Sequence, residues 1–127
     1  MKFSSFVIAV CIIAALYCIG FLFFPVAFTD HYGVHLDAGG ASIGRLFGAA
    51  LGGYAICFWP FRNESPASVA GRAFLRSSIF FNLASLVISL NSIFTNVVTS
   101  MAWTSVIVHV LIILVSIYFL SAKKESA

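Results

Sequence analysis

Seven side chains of this chain have types and spacings that could do chemistry together: Asp30, His31, His35, Asp37, Arg45, Asn91 and His109. Histidine holds or passes a proton near neutral pH and ligates metals, while acids, amides and an arginine can pair or orient a polar ligand. His31 and His35 stand four apart, the spacing of two ligands on one helix face. Gly33 lies between them and breaks such a helix, so no metal is expected. Arg45 has only two anions within reach, Asp30 and Asp37, and one of them is expected to hold it. All seven residues are expected at one depth, the level of the outer leaflet, where that pair would close a polar pocket with His109 and Asn91. Each member also has a structural reading: Asp37 as a helix N-cap, His31 and His35 as interfacial side chains, His109 as a hydrogen-bonding partner for a serine or carbonyl on a neighbouring helix. Cys11, Cys18 and Cys57 form no Cys-x-x-Cys pair and sit in apolar runs, where a thiol packs as a small soft side chain. No nucleophile, redox pair or metal cluster is present to make an enzyme, and no cofactor is expected.

The elements that must position these residues follow from composition. Of 127 residues 61% are hydrophobic and only 9% are charged, against about 25% charged in a soluble domain. Four acids and seven bases cannot cover that much apolar surface, which excludes a soluble enzyme, a disulfide scaffold and a disordered chain. The net charge of +3 is not gathered on a wettable face, so nucleic acid is not an expected partner. The bilayer is. About 20 apolar residues in helix span its core, and the chain offers four such runs, at about 3–24, 41–61, 73–95 and 103–121, in a single domain over 1–127. The first lacks a small-x-small cleavage site and is read as a retained span.

Lys2, Arg62, Arg72, Arg76, Lys123 and Lys124 fall on one side of these spans, six of the seven basic residues. The segments 25–40 and 96–102 carry none. The positive-inside rule then places both termini in the cytoplasm. The expected fold is all-α: a transmembrane four-helix up-down bundle with short connections, in a bacterial inner membrane.

Within the spans, Gly44, Gly48 and Gly52 repeat every four residues, a spacing that lets a second backbone approach closely. The partner is another span or a second protomer. On the third span Ser78, Asn82, Ser85, Ser89, Ser92 and Asn96 form one polar stripe with steps of three and four, which serves as helix packing or as a polar pathway. Pro25 should end or kink the first span, with Gly33 as a left-handed cap beyond it.

Pro25, Tyr32-Gly33, Leu36-Asp37, Gly40, Arg45-Leu46-Phe47-Gly48, Gly52 and Trp59 resemble the signature of an uncharacterised family of small bacterial four-span membrane proteins. The resemblance covers the first half of the chain; it implies a four-helix bundle and no assigned activity. Three functions are carried forward. The first is a non-enzymatic structural or accessory subunit of a membrane complex, with other membrane subunits or a second copy as partners. The second is a small transporter or channel using the polar stripe and Arg45. The third is a cofactor- or lipid-binding membrane protein using His109 and the acids.

Overall fold

The computed structural model describes residues 2–121. Among them every regular element is helical: α1 (Phe3–Phe23), α2 (Pro25–Asp30), α3 (Ala38–Phe58), α4 (Val69–Phe94) and α5 (Trp103–Ser121), with 3-10 turns at Trp59–Asn63 and Ser100–Ala102. Four segments, Phe3–Phe23, Ala38–Asn63, Val69–Phe94 and Ser100–Ser121, are long and apolar enough to cross a membrane. Lys123 and Lys124, on which part of the orientation argument rests, lie outside the described residues.

Local chemistry sets the helix ends. Phe24 leaves helical geometry, with φ −131° and ψ 46°, because the ring of Pro25 crowds the residue before it. Pro25 then opens α2, where its missing N–H is no loss. The α2 turn closes in a Schellman arrangement. Gly33 takes φ +78°, its N–H donates to the Asp30 carbonyl at 2.9 Å, and the Val34 N–H donates to the Thr29 carbonyl at 3.1 Å. Helix α3 starts at Ala38 because the Asp37 carboxylate accepts the Gly40 N–H at 2.7 Å.

Helix α4 begins at Val69 and not near residue 73, since Ser68 Oγ accepts the Gly71 N–H at 3.0 Å. Hydropathy marks the apolar run, whereas the helix also includes the polar first turn that carries Arg72. At its far end Asn96 takes φ 56°, and the Val97 N–H returns to the Ser92 carbonyl at 2.9 Å. Asn96, expected as the last member of the polar stripe, is therefore a left-handed cap, a role its short polar side chain tolerates. Replacing Asp37 by Ala is expected to lower unfolding stability in detergent by about 1 kcal/mol, while Asp37→Asn retains most of it. Equal stability of all three proteins would show that the cap contributes nothing.

The long helices pack as two hairpins, α1 with α3 and α4 with α5. In the first, the glycine face of α3 lies on the backbone of α1. A Cβ placed on Gly48 would stand 2.8 Å from the Leu22 nitrogen and 3.1 Å from the Cys18 oxygen, and one on Gly52 would stand 2.8 Å from Cys18 Sγ. Gly44 meets Pro25 and Phe21. The partner of the glycine face is thus a helix of the same chain.

The two hairpins join mainly through large side chains at one end, called here the proximal end. Phe74, fully buried, stands edge-on to Phe3, Phe6 and Phe58 at centroid distances of 6.1, 5.9 and 5.4 Å. Phe119 adds contacts to Phe3 and Phe6 at 5.3 and 5.7 Å. The distal end, formed by residues 24–37 and 95–102, is joined more lightly. The Thr99 N–H donates to the Tyr32 carbonyl at 2.9 Å, and the Thr99 methyl fills the space beside Gly33. Outward faces carry apolar residues such as Leu46, Ile56, Phe80 and Val87, the composition a lipid-facing surface requires.

Candidate functional site

Between the two hairpins, above the proximal aromatic cluster, lies a cavity of about 420 Å³, within the range of small-molecule sites. Its walls differ. Helices α1, α2 and α3 supply aliphatic and aromatic groups, among them Val10, Phe21, Phe28, Phe47 and Leu51. Phe28 reaches the wall because α2 folds back over α1: a Cβ on Gly20 would stand 2.5 Å from the Phe28 ring, and Phe28 lies 4.9 Å from Phe21 between centroids. Helices α4 and α5 supply the polar groups, Asn82, Ser85, Ser89, Ser92, Ser105 and His109, set among apolar neighbours such as Phe81, Ile88 and Ile112; this side is called here the polar wall. No Asp, Glu, Lys or Arg is among the lining residues.

The polar wall is ordered by hydrogen bonds across the helices. Asn82 is buried; its Nδ2 donates to the Ser78 carbonyl one turn back at 2.8 Å. Its Oδ1 lies 2.8 Å from His109 Nδ1. An amide oxygen only accepts, so the imidazole donates there. Ser78, also buried, bonds the Tyr54 hydroxyl at 2.8 Å, which ties α3 to α4 just below the cavity. Tyr17 and Tyr32 bring their hydroxyls to 3.3 Å near the distal end. The register of three and four along α4 turns Ser78, Asn82, Ser85, Ser89 and Ser92 to one side, and this is why a run of small polar residues becomes one wall.

Of the seven residues grouped by depth from the sequence, only His109 lines the cavity. Asp30, His31, His35, Asp37, Arg45 and Asn91 are exposed and outside it. The expected pairing of Arg45 with Asp30 or Asp37 is not made. The single acid–base contact at salt-bridge distance among the described residues joins Asp30 Oδ1 to His35 Nδ1 at 2.7 Å, on an exposed loop where such a contact contributes little. Asp37 is engaged in capping α3. Both acids therefore have local partners, and an arginine two turns from a helix end reaches water along its own aliphatic stem without needing either. The polar pathway thereby loses Arg45 as a member.

Asn82, Ser85 and Ser89, expected either to pack helices or to line a polar pathway, all line the cavity, and Asn82 also joins α4 to α5 through His109. Sequence reasoning missed Tyr17, Tyr32 and Tyr54, aromatic bodies with one polar tip. Their signal was available: each lies in or beside an apolar span, where a phenol hydroxyl needs a partner.

Four helices able to cross a membrane, with apolar side chains outward and a polar-walled cavity inward, define the class as an integral membrane protein. No family model, curated protein or solved structure matches the chain.

Proposed function

We propose that this protein binds a neutral, mostly apolar small molecule of the bilayer in the cavity between its hairpins. The observation that carries the reading is the cavity's lining: aromatic and aliphatic over most of its surface, with a few uncharged hydrogen-bonding groups gathered on α4 and α5. A charged headgroup would find no counter-charge there and would lose its hydration on entry. An apolar body keeps its dispersion contacts, and one or two polar groups can meet the α4 and α5 wall. The reading as an accessory subunit drew on the glycine face as a docking surface, and that face is covered by α1. Within this proposal the helices cross as an up-down bundle with both termini on the cytoplasmic side. The Lys and Arg placement supports that orientation.

Protein extracted from its native membrane in mild detergent is expected to carry a neutral lipid-class molecule in stoichiometric amount, measured by mass spectrometry of an organic extract. The variant Ser89→Trp, which fills the cavity from its polar wall, is expected to stay folded and to lose that molecule. A native preparation free of neutral lipid, or equal loading of the two proteins, would sink the reading.

A further inference from the structure

The hydrogen bonds at the cavity wall determine what kind of polar group the bound molecule must carry. The Asn82 amide cannot turn over without losing the donation of its Nδ2 to the Ser78 carbonyl at 2.8 Å. With that amide held, its oxygen faces His109, and Nδ1 of the ring must be the protonated nitrogen at 2.8 Å. No carboxylate lines the cavity to hold an imidazolium. A neutral imidazole that donates from Nδ1 carries a lone pair on Nε2. That nitrogen has no hydrogen-bond partner among the described residues. It is not sealed off either, since among the described residues the only buried side-chain polar atom without a partner is Ser116 Oγ, elsewhere on α5. His109 lines the cavity, and its ring thus carries a fixed, unanswered acceptor on a wall without formal charge.

We infer that the cavity selects apolar molecules bearing a hydroxyl group, whose O–H donates to His109 Nε2. This rests on the cavity being a binding site, as proposed above, and adds the chemical class of the ligand. Hydrocarbons, ethers and esters have no hydrogen to give and leave the nitrogen desolvated and unpaired, the costly case for a polar group away from water. An alcohol oxygen has lone pairs left after it donates. Ser85 and Ser105 line the cavity one turn distal to Asn82 and His109 on the same two helices, and a serine hydroxyl can give such an oxygen its hydrogen bond. A hydroxyl group both gives and accepts, and this wall offers one fixed acceptor beside two rotatable hydroxyl donors.

The test compares two isomers of equal size, 1-decanol and 1-methoxynonane, added at matched mole fraction to the full chain in lipid nanodiscs. Replacing His31 and His35 by Gln leaves His109 as the only one of the three histidines, so its 15N ring resonances are read without ambiguity. Decanol is expected to move the unprotonated Nε2 resonance in the direction of a hydrogen-bonded acceptor, and to half-saturate at a mole fraction about fivefold or more below that of the ether, the preference one net hydrogen bond commands. In a chain that also carries His109→Leu the two isomers should bind alike, as followed by the fluorescence of a probe they displace. Equal half-saturation of both isomers with His109 present, or binding of decanol with Nε2 unmoved, overturns the selectivity while leaving the cavity a binding site. Binding of neither isomer overturns the cavity reading and the selectivity with it.

Discussion

Replacing Gly48 by Leu is expected to lower the unfolding stability of the detergent-solubilised protein by about 3 kcal/mol, the upper part of what overpacking costs. The reason lies in what a side chain there would meet. Of the three nearest atoms, the Leu22 nitrogen at 2.8 Å and the Cys18 oxygen at 3.1 Å are backbone, and Phe21 Cβ at 3.0 Å is next to it. None can swing aside, so α1 and α3 must separate. Separation also removes the close backbone approach that holds helices together in lipid, where burial from water contributes nothing between spans. Gly53 has nothing within 4 Å of an added Cβ, so Gly53→Leu should stay within about 0.5 kcal/mol of the parent. Equilibrium unfolding in mixed micelles measures both. Equal stability of Gly48→Leu and Gly53→Leu would show that the glycine contact does not hold the hairpin.

The second large effect is expected at Phe74, whose replacement by Ala should cost about 3 kcal/mol in the same measurement. Phe74 is fully buried and edge-on to three other phenylalanines, at 6.1, 5.9 and 5.4 Å. Each such pair contributes about 0.5–1.5 kcal/mol beyond area. The figure sits at the low end for Phe→Ala in a soluble core, because helices that separate in a bilayer expose their side chains to lipid and not to water. The loss falls on the contact between hairpins, so Phe74→Ala should also weaken ligand retention, whereas Phe80→Ala, at 76% exposure, should change neither. A Phe74→Ala protein as stable as the parent would mean that the hairpins are held elsewhere.

Several features of this fold are legible in the amino-acid sequence because their causes are local. The helix lengths follow from apolar runs, and the breaks at Pro25, Gly33 and Asp37 follow from backbone chemistry within a few residues. The partnering of the helices is not local. All four spans are apolar around most of their circumference, so hydrophobicity does not say which face meets which neighbour. Only the small residues at Gly44, Gly48 and Gly52 and the polar stripe of α4 break the symmetry.

Depth in the membrane was a poor guide to the site. Asn82 and Asn91 both stand on α4, but about two and a half turns apart, which puts them on opposite faces. One bonds His109 and the other is exposed. Asp30 and Asp37 were matched to Arg45 because no other anion was near. Each had a partner closer along the chain, and a short loop satisfies its own acids before it reaches a neighbouring helix.

The arrangement in two hairpins also dictates an order of assembly. Each hairpin closes over a short stretch of chain, so α1 can settle on α3, and α4 on α5, soon after each pair has entered the bilayer. The proximal cluster, however, brings the ring of Phe3 to 5.3 Å from that of Phe119 between centroids, residues from the first and last of the described helices. Their meeting waits for α5 to leave the ribosome. Until then the cavity has only one wall, with Val10 and Leu51 but without His109. The chamber between the hairpins therefore closes only once α5 is in place, and its completion is a late event in the assembly of the fold.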